Sequence, residues 1–175
     1  MRKMIAAFVG LIILAGVNYT IYSREQLLSN GQIVLLELAP VDPRSLMQGD
    51  YMALDFAINR TAFVAVATEQ AESLKDGYLV VSLDKNRVAQ FQRFANNTPV
   101  SGDERLLRYR VRDGQPKFAT NAYFFQEGTS EQYVSARYGE FRVSDSGDMI
   151  LTKLRDAQFA ELGLPRDDNH RDRGD

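Results

Sequence analysis

The N-terminal segment constrains this chain most, because an uncharged, strongly apolar stretch follows Arg2 and Lys3. Nine residues between Met4 and Tyr22 are Leu, Ile, Phe or Val. At roughly −0.3 to −0.6 kcal/mol each, they favour insertion into a bilayer by about 3 to 5 kcal/mol. The stretch supplies nearly the ~20 residues that a spanning helix needs. It therefore predicts a transmembrane helix over Met4–Tyr22, in contact with membrane lipid.

The residues at the far end of this stretch predict its orientation. Tyr19 and Tyr22 fall where aromatic rings prefer to lie, at the level of the lipid headgroups. A basic pair precedes the span, whereas Arg24 beyond it is followed at once by Glu25. Because basic residues favour the cytoplasmic side, the N-terminus is predicted to be cytoplasmic and the chain from residue 24 onward to be exported.

A cleaved secretory signal is the competing interpretation. The strictly apolar run Met4–Val17 is short enough for the hydrophobic part of a signal peptide. However, the residues from Val17 to Tyr22 lack the small side chains of a cleavage site, and Leu14-Ala15-Gly16 is not followed by the cysteine of a lipoprotein signal. A retained anchor is favoured, and both interpretations place the rest of the chain outside the cytoplasm.

Composition divides the chain into three parts. Residues 1–30 hold the anchor and a juxtamembrane helix, residues 31–164 suit one extracytoplasmic domain, and the polar, charged residues 165–175 are predicted to be disordered. The 21 basic and 23 acidic residues nearly balance, and three of the basic ones precede residue 31. The mildly acidic body argues against nucleic acid or an anionic lipid surface as the main partner. The absence of cysteine excludes disulfides, thiol catalysis and cysteine-bound metals.

Hydrophobic alternation predicts a mainly antiparallel α+β domain with two or three short helices. Gln32–Leu38 is a nearly continuous apolar run, typical of a strand buried on both faces. Tyr51–Ile58 alternates most regularly and is predicted to be one strand. Three hairpins are predicted from strand pairs that flank turn residues: Tyr78–Leu83 with Arg87–Phe94, Glu104–Arg112 with Lys117–Phe125, and Gly139–Val143 with Met149–Leu154.

Three segments carry helical patterns. Thr61–Leu74 places apolar residues on one face with Thr61 as its N-cap, although its Val-Ala-Val centre also suits a strand. Ser130–Arg137 is predicted to be a short helix. Asp156–Leu162 is predicted to be another, capped by Asp156 and ended by Gly163.

The densest run of turn-forming residues lies between the first two predicted strands. Asp42-Pro43 is typical of a tight turn, and Gly49-Asp50 of a corner into the next strand. Together with Ser45, these residues also resemble the loops of signal-peptidase-like serine hydrolases, in which Ser45 would be the nucleophile and a lysine the base. The Ser-Met pair of those enzymes is absent, and no lysine outside the anchor lies in a recognisable base motif. No catalytic residue is assigned, and the domain is predicted not to be an enzyme.

The same region carries a family resemblance. Residues 49–56, Gly-Asp-Tyr-Met-Ala-Leu-Asp-Phe, resemble the signature of the GDYXXLXY family, with Phe56 in place of the final Tyr. Pro40–Leu46 resembles the segment before the signature. Tyr123–Gly128 resembles the family's aromatic-aromatic-x-Glu-Gly turn, and Arg137–Glu140 resembles the motif after it. The resemblance spans roughly residues 31–156.

This resemblance implies a single-pass protein of the bacterial inner membrane with a periplasmic domain, similar to proteins often encoded beside a polytopic membrane protein. It implies no activity, because the family is uncharacterised. We therefore expect a non-enzymatic interaction or accessory module for a polytopic membrane protein or envelope component, without cofactor or metal. The nominated interaction and motif residues are Asp42, Pro43, Arg44, Gly49, Asp50, Tyr51, Leu54, Tyr123, Phe125, Glu127 and Gly128.

Three weaker patterns remain open. Arg108, Arg110 and Arg112 alternate onto one face of a predicted strand, where an anion or a carboxylate-bearing partner would dock; the solvated face of a half-buried strand explains them as well. The aromatic residues at 123–125 are expected in the core. Four carboxylates would suit a divalent cation, although their spacing does not require one. They are Asp42, Asp50, Asp55 and Glu127.

Overall fold

The computed structural model describes residues 2–39, 47–48, 51–70, 75–96, 99–112 and 115–164. Within these ranges an N-terminal helix precedes short strands that pair antiparallel in three sheets, together with a second α-helix and a 3-10 helix. The predicted α+β class with a mainly antiparallel sheet is confirmed. The charged residues 165–175 lie outside the described part, so their predicted disorder stays a prediction.

The first helix, α1, runs from Arg2 to Asn30. It is long and apolar enough to cross a membrane, with a mean hydropathy of 2.1, and none of its apolar window is buried in the protein. Near its end, Leu27 packs into the domain and is 8% exposed. The N–H of Gly31 donates to the Leu27 carbonyl at 2.9 Å, and Arg142 Nη1 donates to the Gly31 carbonyl at 3.0 Å. One residue therefore connects the helix to the first strand.

The remaining elements are short. The second helix, α2, spans Ala57–Gln70, and the 3-10 helix spans Ser130–Tyr133. The strands in chain order are β1 (Gln32–Glu37), β2 (Met47–Gln48), β3 (Tyr51–Ala53), β4 (Gly77–Leu83), β5 (Ala89–Phe94), β6 (Glu104–Arg112), β7 (Gln115–Phe118), β8 (Ala122–Phe124), β9 (Tyr138–Val143) and β10 (Met149–Arg155).

The strands form sheets in the orders β1-β9-β10, β2-β3-β8 and β5-β4-β6-β7. The predicted hairpins are confirmed as β4 with β5 and β9 with β10. The predicted pairing of β6 with β7 is confirmed as well, but β7 begins at Gln115, earlier than predicted, and ends at Phe118. Strand β1 is buried as its unbroken apolar run predicts, since Val34, Leu35 and Leu36 are all at most 4% exposed. One core joins the three sheets, with Met52 as the buried residue of β3. Its largest fully buried side chains include Phe56, Phe118, Phe141, Leu36, Leu79, Leu107 and Leu154.

The prediction of one strand over Tyr51–Ile58 is wrong in its second half. The strand ends at Ala53, and α2 begins at Ala57 instead of Thr61. The Asp55 carboxylate accepts a hydrogen bond from the Phe56 N–H at 2.9 Å and another from Asn59 Nδ2 at 3.0 Å, which stabilises the first helical turn. Thr61 lies inside the helix and donates to the Ala57 carbonyl, so it is not an N-cap.

The predicted strand Lys117–Phe125 is divided into two. Thr120 Oγ1 donates to the Ala122 carbonyl at 2.8 Å and accepts the Ala122 N–H at 3.2 Å, which closes a bend after β7. The Asn121 carbonyl then accepts the Leu54 N–H at 2.7 Å. As a result, β8 leaves the hairpin and pairs with β3 in a different sheet.

Both short C-terminal helix predictions need correction. The segment Ser130–Arg137 is helical only as a 3-10 turn that ends at Tyr133. The segment Asp156–Leu162 forms a loop, because Phe159 has a φ of 64°, which an α-helix does not allow. Asp156 caps this loop instead, with its Oδ1 accepting the Ala160 N–H at 2.8 Å.

Candidate functional site

The structure joins the two family-like motifs that lie about seventy residues apart in sequence. Tyr51 pairs with Phe124, Met52 with Tyr123, and Ala53 with Ala122, so β3 and β8 are neighbours. Strand β2 pairs with the other edge of β3. We call this three-stranded β2-β3-β8 unit the motif sheet. Tyr51 and Tyr123, which were named together from the sequence as interaction residues, therefore lie on neighbouring strands of the same sheet.

The inner face of the motif sheet belongs to the core. Met52 is 3% exposed, and half-buried Tyr123 and Phe125 pack against buried Tyr133. The ring of Tyr133 lies 5.3 Å from that of Tyr123 and stacks on that of Phe125 at 5.2 Å, with 22° between the latter planes. The nominated Tyr123 and Phe125 therefore support the sheet from within.

The outer face carries an aromatic pair. Phe124 is 75% exposed, and its ring centroid lies 5.7 Å from that of half-buried Tyr51. The small residues Ala53 and Ala122 pair next to them on the same face, because successive side chains of a strand alternate between faces. The pair therefore projects beyond its neighbours. We call these four residues the outer face.

The expectation that all three aromatic residues at 123–125 lie in the core is wrong for Phe124. The outward position of Phe124 can be recognised from the alternation of side chains along β8. Successive side chains of a strand point to opposite faces, so Phe124 points away from the face that carries Tyr123 and Phe125. A single sequence does not show which of the two faces is covered. The packing of Tyr133 under Tyr123 and Phe125 decides this.

The second half of the family-like signature is structural. Leu54 is 3% exposed and Phe56 is fully buried. The Phe56 ring makes edge contacts with Phe118 at 6.2 Å and Phe141 at 5.6 Å. The nominated Leu54 is therefore placed in the core, and the position where the signature has a final Tyr joins the motif sheet to the other two sheets.

The turn after β8 holds the nominated Glu127 and Gly128. Gly128 has a φ of 78°, a conformation that favours glycine, and an added Cβ would meet open space. Thr129 closes the turn, because its N–H and its hydroxyl both donate to the Gln126 carbonyl, at 3.1 and 2.6 Å. Glu127 is exposed at the tip of this turn.

The Arg137–Glu140 motif begins one residue before β9 and continues into it, where Gly139 packs against the core. Gly139 leaves room for packed side chains, since an added Cβ would lie 3.1 Å from Leu151 and 3.2 Å from Phe141. Glu140 is 2% exposed and forms an ion pair with Arg155 at 2.5 Å. This motif therefore acts through packing and a buried ion pair.

Several predicted site residues lie outside the described part of the chain. They are Asp42, Pro43, Arg44, Ser45, Gly49 and Asp50. Among the residues that the structure does describe, no group of three or more His, Cys, Asp or Glu side chains could hold a metal ion. Asp55, one of the four carboxylates suggested for a cation, is engaged at the start of α2.

Burial changes the chemistry of the Tyr123 phenol. It raises the pKa of Tyr123 to about 12, and the neighbouring Tyr133 adds to the effect. The unfolded phenol ionises near pH 10, so both states stay neutral below that pH and stability does not depend on this group there. Above pH 10 the unfolded state loses its proton first, and the folded state loses stability until the pH reaches about 12.

We therefore expect Tyr123→Phe to flatten the alkaline loss of stability. The wild-type protein should lose about 1 to 2 kcal/mol more than this variant between about pH 10 and pH 12, an amount reduced because Tyr123 is only half-buried. Thermal unfolding of both proteins, followed by circular dichroism across this range, measures the difference. Parallel pH profiles of the two proteins would contradict the assignment.

Comparison with known proteins agrees with these motifs. No curated protein and no solved structure matches the chain. A family model described as GDYXXLXY protein matches residues 13–154, well over half of the sequence. The matched range contains the motif sheet, its supporting Tyr133 and Glu140, and it ends one residue before Arg155, the ion-pair partner of Glu140. The chain belongs to the GDYXXLXY family.

Proposed function

We propose that this protein is a non-enzymatic interaction module, anchored in the bacterial inner membrane with its domain in the periplasm, that binds a polytopic membrane protein through the outer face of the motif sheet. The observation that carries the proposal is the exposed Phe124 beside Tyr51. Two family motifs that are distant in sequence build this surface together.

The connection between α1 and the domain supports a role at the bilayer surface. Leu27 packs into the domain, and Gly31 alone separates α1 from β1. A domain joined to a membrane helix in this way stays close to the bilayer. Tethering raises the effective concentration of partners that share the membrane, so a modest interface suffices for specific binding.

The chemistry of the outer face supports protein binding. Large aromatic side chains are enriched at the energetic centres of protein interfaces, because they bury much area at low conformational cost. Phe124 is the most exposed aromatic side chain of the described strands, at 75%. Tyr51 lies beside it on β3, whereas the small residues Ala122 and Ala53 leave its ring uncovered on the side that they occupy.

We expect tagged full-length protein, extracted in mild detergent after cross-linking in cells, to enrich one polytopic membrane protein. Phe124→Arg should abolish this enrichment and Phe124→Ala should reduce it at least tenfold, since losing an interface centre costs about 2 kcal/mol or more. Quantitative mass spectrometry of the captured proteins measures both effects. Neither variant should lower the melting temperature noticeably, because the side chain is already exposed.

Val100→Ala is the matched control, since Val100 is 39% exposed in the loop before β6 and lies outside the motif sheet. It should capture the partner as wild type does, and so should Ser45→Ala if no serine chemistry is involved. Equal capture by Phe124→Arg and wild type would refute the proposed surface. Recovery of the mature protein in a salt-washed soluble fraction would refute the anchor.

A further inference from the structure

A cavity beside the end of α1 concentrates positive charge. Its volume is about 650 Å³, and side chains from α1, β6 and β7 line it. We call it the basic groove. Among the described residues that line it, five are cationic: Arg24, Arg108, Arg110, Arg112 and Lys117.

Few carboxylates offset this charge. Arg108 forms an ion pair with Asp148 at 3.0 Å, and Arg112 forms one with Asp76 at 3.3 Å. Of the described residues that line the groove, Asp148 alone carries a carboxylate. The groove is therefore locally cationic, although the chain as a whole has a net charge of −2.

The other three cations have no such partner. Arg24, Arg110 and Lys117 form no ion pair or hydrogen bond with any residue in the described ranges. The carboxylates of Asp76 and Asp148 offset only part of the positive charge, although Asp76 also interacts electrostatically with Arg110. The cations therefore still repel one another, and a bound anion relieves that repulsion. The cluster is therefore prepared for an anionic ligand.

The position of Arg24 places the groove near the bilayer. Arg24 follows the predicted end of the span, Tyr22, by two residues of the same helix, a rise of about 3 Å. The polar layer on each side of the hydrocarbon core is about 5 to 8 Å thick. The Arg24 end of the groove consequently lies at the level of the lipid headgroups.

A second cavity extends this arrangement along α1. It has a volume of about 530 Å³ and shares Arg24 and Asp148 with the basic groove. It is also lined by a second carboxylate, that of Asp145, and by Tyr19 and Thr20 on α1. These two residues belong to the predicted membrane interface. A lipid whose acyl chains follow α1 can therefore reach the groove with its headgroup without leaving the bilayer.

We propose that the basic groove binds the phosphate of an anionic lipid headgroup in the leaflet that the domain faces. Guanidinium groups donate paired hydrogen bonds to phosphate oxygens, which suits a groove rich in arginine. Zwitterionic headgroups carry a cation that the groove repels, so anionic lipids are selected. The inference depends on the membrane-anchored location proposed above and not on the protein partner.

The basic groove is a local exception to the mildly acidic character of the body. An average negative charge disfavours broad attraction to an anionic surface, whereas the groove binds one or two headgroups through a few oriented side chains. The proposal therefore assigns an anionic lipid headgroup as the ligand of the alternating arginines of β6, which are Arg108, Arg110 and Arg112. Arg24 and Lys117 complete this binding site.

The test uses full-length protein in a neutral detergent and native mass spectrometry of lipid adducts. We expect phosphatidylglycerol to bind more tightly than phosphatidylcholine. Arg110→Gln/Lys117→Gln should weaken phosphatidylglycerol binding about thirtyfold, since each basic residue near an anionic membrane contributes about 1 kcal/mol. The charge-matched control Lys75→Gln/Lys85→Gln removes two exposed lysines outside the groove and should bind as wild type does.

Equal affinity for the two lipids, or unchanged affinity in the groove variant, would overturn the proposal. Competition by inorganic phosphate at the same concentration as phosphatidylglycerol would assign the groove to a soluble anion and overturn the lipid assignment. Arg24→Gln provides a second test that leaves the domain core untouched, and it too should weaken binding. The groove variants should still capture the polytopic partner, so the two proposals fail independently.

Discussion

Phe56→Ala is expected to lower the free energy of unfolding by about 3 to 5 kcal/mol, because it empties a fully buried position in the core. The ring of Phe56 contacts Phe118 on β7 and Phe141 on β9. Since Phe56 itself follows the motif sheet, its removal leaves a cavity where all three sheets meet. Neighbouring rings are held by their own strands and cannot collapse into it.

Thermal unfolding of the full chain in detergent, followed by circular dichroism, measures this loss as a fall in melting temperature of about 10 °C or more. Phe124→Ala is the matched control, since it removes the same side chain from a position that is 75% exposed. It should change the melting temperature little. Similar shifts for Phe56→Ala and Phe124→Ala would show that the packing at Phe56 has been misjudged.

Glu140→Ala is expected to cost about 3 kcal/mol, because it leaves a guanidinium without its partner inside the protein. Glu140 is 2% exposed and accepts from Arg155, and Thr152 Oγ1 donates to the Glu140 carbonyl at 3.1 Å. The expected loss lies at the lower end of the range for buried pairs, since the Arg155 side chain is 25% exposed and retains some hydration.

Glu37→Ala provides the control on the same sheet. It removes the exposed pair between Glu37 and Arg137 at 2.7 Å, which should cost less than about 1 kcal/mol. Replacing both Glu140 and Arg155 by apolar residues of similar volume should recover most of the loss, because no unpaired charge is then left inside. Equal losses for Glu37→Ala and Glu140→Ala would contradict the role of burial.

Local sequence patterns correctly predicted the elements in which the burial of side chains follows one regular pattern from end to end. Strand β1 is an apolar run because both of its faces are covered, and the three hairpins follow from alternation beside turn residues. The apolar length of α1 alone makes it able to span a membrane. In these elements, the residues within one short window carry the whole signal.

Predictions failed where a side-chain hydrogen bond changed the path of the backbone. Met52, Leu54, Phe56 and Ile58 are all buried, as one strand would require, yet Asp55 starts a helix in their midst. The first turn of α2 keeps Ile58 directed into the core. The alternation of apolar residues in the sequence therefore continues past the end of β3 and resembles that of a longer strand. Thr120 likewise divided one apolar pattern into β7 and β8.

Neighbouring residues alone were enough to identify the long apolar helix, the antiparallel hairpins and the motifs of the family, because each of these features depends on a short stretch of chain. The outward position of Phe124 beside Tyr51, and the approach of Arg24 to the arginines of β6, emerge from the packing of the whole domain. Those arrangements bring together residues from distant parts of the chain, and they follow from which strand pairs with which and which face the core covers.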